Sequence, residues 1–164
     1  MRIMGIDPGL ATIGIGIIDA HSPSKLEPKE WMTITTDAGN TAPERLLEIE
    51  RDLDSLLTQF RPELAVVEKL FFSTNVRTAM DVAQGRGVIL ATLARHNIPI
   101  LEPTPLELKS AITGDGRADK KQLQQMIQLM LHLTDIPSPD DAADALALAV
   151  YGVLATRVLA TGKK

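Results

Sequence analysis

Cysteine is absent from all 164 residues. Disulfides and thiolate metal centres are therefore excluded, and a reducing, cytoplasmic setting is the expectation. Aromatic side chains are scarce too, with one tryptophan, one tyrosine and three phenylalanines. The core must then be built from aliphatic residues, and an aromatic beside a candidate site stands out. No apolar run approaches the ~20 residues of a membrane span; the longest uncharged one reaches only from Ala145 to Thr156. The amino terminus, MRIMGIDPGL, lacks a secretory leader's apolar stretch, and no membrane association is expected. Internal repeats and low-complexity segments are missing as well.

What is present fits one globular unit. Hydrophobic residues make up 45% and charged residues 23%, and the length suits one domain with a sizeable core. We place that domain at residues 1–158, with a frayed tail at 159–164. The net charge of −4 argues at face value against nucleic acid, but its distribution is uneven. Glu27 to Glu63 carries nine acidic and four basic residues, whereas Lys69 to Lys121 carries eight basic and five acidic. A modest basic region inside an acidic protein is compatible with a phosphate-bearing partner, but from charge alone surface scatter is the better account, because a basic nucleic-acid footprint is usually more pronounced.

Hydrophobic periodicity supplies a coarse plan. RIMGID, TIGIGIID and WMTITT read as three strands of an antiparallel meander. TAPERLLEIERDLDSLLTQF reads as a helix capped by Thr41, with Pro43 in its first turn. ELAVVE is a short apolar strand that ends at Glu68; VRTAMDVAQGRGVILATLARH is helical; IPIL is again a strand. Thr104 and Glu107 form a capping-box pattern that opens a brief helix, and the loop TGDGRAD leads to another helix ending at Leu131. SPDDAADALALAVYGVLA is the last helix, with Ser138 as its expected cap and Pro139 at its first position. The sum is an α/β protein with a five-stranded mixed sheet, three antiparallel strands followed by parallel additions, flanked by helices.

Four carboxylates stand where charge is expensive or where α/β sheets place ligands. Asp7 ends the first strand, although DPG also suits a type II turn in which Gly9 supplies the positive φ. Glu68 closes a strand with apolar residues on both faces, and would otherwise simply reach solvent. Asp141 has a structural role open to it, since acids in a first helical turn gain about 0.3 to 1 kcal/mol from the helix dipole; Asp140 fills that role equally well. Asp144 does not, because it lies a turn further in among Ala142, Ala143, Ala145, Leu146 and Ala147. Asp141 and Asp144, three apart, share a helical face. Oxygen donors without histidine or cysteine suit hard cations such as magnesium or manganese. Spacing alone does not prove that the four converge.

GIDPG, VVEKLFF, QGRGV, LKSAITGDGRADK and DAADALALA occur in the order and approximate spacing of the RuvC family of Holliday-junction resolvases, within the ribonuclease H-like superfamily. The chain resembles that family from Arg2 to Ala155. The resemblance implies a ribonuclease H-like fold and a magnesium-dependent endonuclease in which Asp7, Glu68, Asp141 and Asp144 hold two magnesium ions per subunit, with manganese as the substitute. The DAAD motif selects Asp141 over Asp140. The resemblance further implies paired symmetric nicks in four-way junction DNA that leave 5′-phosphate and 3′-hydroxyl ends. Lys109 and Lys120 match DNA-contacting lysines, and Arg117 belongs to the same basic loop. Phe71 matches an aromatic that stacks on unpaired bases, with Phe72 beside it; from the residues alone both read as core side chains. A homodimer built through the QGRGV helix and cooperation with the RuvA and RuvB branch-migration proteins complete what is implied. Gly85 and Gly87 each cost that helix about 1 kcal/mol relative to alanine, so close packing should compensate.

Other classes remain to be weighed. A chain this short cannot supply the two lobes of an actin-like ATP clamp. A non-catalytic junction-binding adaptor predicts at least one lost carboxylate, and none is lost. A related ribonuclease H-like nuclease acting on RNA shares the fold, but its helix motifs match less well.

Overall fold

The computed structural model describes residues 1–22, 24–69 and 76–161, with side chains left aside at 76–78 and 157–161. Phe71 and Phe72 therefore lie outside the described residues. The elements run β1 (Arg2–Asp7), β2 (Thr12–Ser22), β3 (Lys25–Thr35), α1 (Ala42–Phe60), β4 (Leu64–Val67), α2 (Val76–Arg95), β5 (Ile100–Leu101), α3 (Pro105–Thr113), α4 (Lys120–Met130) and α5 (Asp140–Thr161). The sheet order is β3-β2-β1-β4-β5. β1 to β3 form the expected antiparallel meander, and β4 and β5 add in parallel.

Alternation along the strands sorts side chains onto two cores. Met4, Ile6, Ile13, Ile15, Ile17, Ala65 and Val67 face α1 and α2, where they meet Ile49, Leu53, Leu57, Ile89 and Leu93. Ile3, Ile18, Leu64 and Val66 face α3, α4 and α5. The opposite alternation points Gly5, Asp7, Gly14 and Gly16 at this second layer. These glycines let α5 lie almost on the sheet: a Cβ at Gly5 would come within 1.9 Å of the Ala145 carbonyl oxygen, one at Gly14 within 1.9 Å of that of Asp141, and one at Gly16 within 2.5 Å of the Leu146 nitrogen. Ala142, Ala145 and Ala149 are small on the helix side and fully buried.

The helix starts follow local chemistry. The Glu44 carboxylate accepts from the Thr41 amide at 2.8 Å and from its hydroxyl at 2.6 Å. Thr104 and Glu107 exchange hydrogen bonds at the head of α3, as Asp119 and Gln122 do at the head of α4. Each pair satisfies amides that a helix end leaves without partners.

Several expectations need correction. α5 begins one residue later than the Ser138 cap implies: the Pro139 carbonyl accepts from the Ala142 and Ala143 amides at 3.1 Å, and so takes the place assigned to Ser138. At the other end α5 continues to Thr161, past Ala155, where the sequence pattern ended the helix. β3 starts at Lys25, well before WMTITT, and β5 has two residues only. Gly114 is the only glycine at positive φ among the described residues, so Asp7-Pro8-Gly9 is not a type II turn. Gly9 is needed for room instead, since a Cβ there would lie 2.0 Å from the Thr12 carbonyl oxygen. Gly85 is compensated as expected, with its Cβ position 2.3 Å from the Gly9 carbonyl oxygen, but at Gly87 no described residue lies within 4 Å.

Candidate active site

Asp7 is the last residue of β1, and Glu68 directly follows β4, the parallel neighbour in which Val67 pairs with Ile6. Two adjacent strands thus release their carboxylates at the same end of the sheet. By alternation Glu68 shares the face of Leu64 and Val66, and Asp7 that of Ile3, which is the face α5 covers. α5 enters over this end: the Cβ position at Gly14 that would strike the Asp141 carbonyl also lies 3.2 Å from the Asp7 Cβ. The glycines of β1 and β2 therefore set the height of Asp141 and Asp144 above Asp7.

Asp7, Glu68, Asp144, Lys109 and Lys120 line one cleft of about 220 Å³, walled by Pro105, Leu108, Leu123 and Leu148. Asp141 is not part of that lining, but its charge acts on both Asp7 and Asp144. Burial, and then the charges of Glu68, Asp144 and Asp141, push the Asp7 carboxyl up to about 7. The Glu68 carboxyl is raised by burial and by Asp144, with Lys109 opposing. Asp144 is raised by burial against the pull of Lys120, whose Nζ donates to its Oδ2 at 3.0 Å. The same ammonium lies 3.3 Å from Asp140 Oδ2. These are acids held together against their mutual repulsion.

The donor set fits a hard divalent cation in kind: every candidate is a carboxylate oxygen, and the acids destabilise one another's charged forms. Among the described residues, no three histidine, aspartate or glutamate side chains lie close enough together to hold an ion. Lys120 brings positive charge to Asp144 and Lys109 to Glu68.

Arg117 is exposed outside the cleft, and its amide donates to Asp115 Oδ1 at 2.8 Å. The Asp115 carboxylate is thus turned into its own loop, which further closes through Thr113. Gly116 makes room for Leu106, 3.0 Å from its Cβ position, and Gly114 ends α3 in the left-handed region. Two features escaped the sequence reading. One is the run of glycines beneath α5, for which TIGIG in β2 was the available signal. The other is Arg86, whose Nε donates to the Glu68 carbonyl oxygen at 2.9 Å; nothing in QGRGV marks that contact.

A mixed sheet of this order, with acidic residues at the exits of its adjacent parallel strands β1 and β4, belongs to the ribonuclease H-like class of α/β proteins. The family described as crossover junction endodeoxyribonuclease RuvC matches residues 3–152. Proteins of that name from Alkaliphilus oremlandii and Chloroflexus aurantiacus are 47% and 49% identical over 150 residues, covering 92% of this chain and 91% of each relative. The structure of Thermus thermophilus RuvC in complex with a Holliday junction substrate superimposes with a TM-score of 0.91 at 30% identity, over 96% of both chains. The yeast mitochondrial Holliday junction resolvase shares the fold at 14% identity, with a TM-score of 0.70 over 97% of this chain and 82% of its own. The chain belongs to the RuvC family of crossover junction endodeoxyribonucleases.

Proposed function

We propose that this protein resolves Holliday junctions as a homodimer, each subunit hydrolysing one phosphodiester with the help of two magnesium ions held by Asp7, Glu68, Asp141 and Asp144. The observation that carries the reading is the cleft that gathers Asp7, Glu68 and Asp144 beside Lys109 and Lys120, where burial raises all three carboxyls and the charges of Glu68 and Asp144 raise Asp7 further. When bound, divalent ions lower the pKa of water and neutralise charge on the attacking and leaving oxygens. The chain does the rest. Strand ends and a rigid helix fix the carboxylates. Lys109 and Lys120 meet the charge of a phosphate that enters the cleft, and Leu108, Leu123 and Leu148 keep that wall dry. Water oxygen bonds to phosphorus, the bond to the 3′ oxygen breaks, and 5′-phosphate and 3′-hydroxyl ends result. Manganese, with the same preference for oxygen donors, is the substitute ion.

Arg117 supplies further charge for the DNA backbone. Phe71 and Phe72, between Glu68 and α2 in sequence, are assigned to stacking on bases at the crossover. Dimerisation is supported by α2, whose Met80 is 66% exposed and whose Gly87 has no described residue within 4 Å of its Cβ position. A twofold dimer presents two sites to a junction of near-twofold symmetry. Cooperation with RuvA and RuvB, in the cytoplasm, belongs to the same reading. Among the described residues no helix is long and apolar enough to cross a membrane.

The test is cleavage of a labelled four-way junction with magnesium, with binding measured separately. Wild type is expected to make paired symmetric nicks. Asp7→Asn and Asp144→Asn should bind normally and cut more slowly by roughly three orders of magnitude, as expected when several kcal/mol of charge stabilisation is lost. Binding without cutting, across both metals and several junction sequences, would put the non-catalytic adaptor first. Preference for a structured RNA would favour the RNA-directed alternative.

A further inference from the structure

Glu68 sits one residue beyond β4, where strand pairing with β1 has ended. Its main-chain carbonyl is nevertheless bound. Arg86, with a side chain only 16% exposed, donates from Nε to that oxygen at 2.9 Å, and its Nη2 is paired with the carboxylate of Glu102, the residue following β5. β4 and β5 are parallel neighbours, and their exits are joined once more by the Lys69 amide donating to the Pro103 carbonyl at 2.8 Å. Arg86 therefore spans two adjacent strand exits with one planar group. The preceding residue, Gly85, docks α2 on the Gly9 carbonyl in the turn just after Asp7. Two consecutive residues of α2 thus grip the chain immediately beyond Asp7 and at Glu68.

We propose that Arg86 is a positioning residue: through the Glu68 carbonyl, and anchored by Glu102, it fixes the Glu68 carboxylate at the height and angle required for metal binding. The inference rests on the reading of Glu68 as a metal ligand given above. A guanidinium suits the task because its N–H groups are held in a rigid plane and reach two acceptors on different strands at once. Lysine offers one flexible ammonium and cannot reproduce that fork. Outer-shell groups that orient ligands typically change metal affinity or activity about 10- to 100-fold when removed.

The experiment compares the full-length wild type with Arg86→Lys, Glu102→Gln and Glu68→Gln. Manganese binding to the protein without DNA is followed by calorimetry, and single-turnover junction cleavage across a magnesium titration. Junction affinity and thermal unfolding are measured in EDTA. Arg86→Lys is expected to weaken manganese binding and to raise the half-saturating magnesium concentration by about tenfold or more, with junction affinity and melting temperature close to wild type. Glu102→Gln should move both metal readouts the same way by a smaller factor, and it reports on the anchor even if Arg86→Lys folds poorly. Unchanged metal readouts in both variants, or a loss of cleavage that merely tracks melting temperature, overturn the proposal. If Glu68→Gln binds manganese and cuts like wild type, the reading of Glu68 as a ligand falls, and the role of Arg86 with it.

Discussion

Asp7 carries the most consequential electrostatics of any single residue. Burial and three neighbouring carboxylates raise it from 3.8 to about 7. An acid raised on folding holds its proton more tightly in the folded chain than in the unfolded one. Its contribution to stability is thus whole below its unfolded value and is lost as pH rises through about 7. In EDTA, Asp7→Asn should be more stable than wild type to urea at about pH 8, and the difference should shrink as pH falls and vanish only well below the unfolded value of 3.8, where both states of wild type are protonated. A difference that does not vary with pH would contradict the assigned cause. Added magnesium should close the gap at pH 8 by stabilising wild type, since a ligand that binds only the folded state stabilises it by mass action. At this scale Asp7, Glu68 and Asp144 were legible because a carboxylate at the end of, or inside, an apolar run demands an explanation. Arg86 was not. On an amphipathic helix an arginine reads as a solvated charge, and its partners lie 18 and 16 residues away, joined only by the tertiary fold.

At the scale of elements, the site depends on how closely α5 approaches the sheet. Gly14→Ala would put a methyl group 1.9 Å from the Asp141 carbonyl oxygen and 3.2 Å from the Asp7 Cβ. Both neighbours are fixed in secondary structure, so the helix must lift. The expected cost is about 1 to 3 kcal/mol or more in urea unfolding, together with a loss of cleavage under conditions where the variant remains folded. Full activity in folded Gly14→Ala would mean that helix height does not control the site. Helix existence was plain from caps and periodicity, as Thr41 and Thr104 illustrate. Boundaries were harder. KLEPKE in β3 has too many charges and a proline to read as a strand, yet it occupies the sheet edge, where Pro28 and charges discourage further pairing. Ser138 and Pro139 look like a cap and a first residue, but the chain turns into α5 one residue later.

At the scale of the whole molecule, three strands followed by helix and strand in alternation were enough to give the mixed sheet, whereas the dimer proposed above draws its support from one helix face. Met80, Gln84, Gly87, Ala91 and Ala94 recur at intervals of three and four along α2, and all are exposed. Among the described residues Gly87 has nothing within 4 Å of its Cβ position, so none of them repays its cost of about 1 kcal/mol relative to alanine. Small side chains let two helices approach closely, and a second copy of α2 on this face would recover the deficit through packing. Ala91→Glu places a charge in that contact without touching either core. Wild type should sediment as a dimer and Ala91→Glu as a monomer, with little change in the unfolding of the isolated chain. On a supercoiled plasmid with an extruded cruciform, a dimer cuts two opposed strands within one complex and gives linear product. A monomer should instead accumulate nicked circles. Linear product from Ala91→Glu at concentrations where it is monomeric would mean that one copy cuts both strands in a single encounter, and the twofold account of resolution would fail.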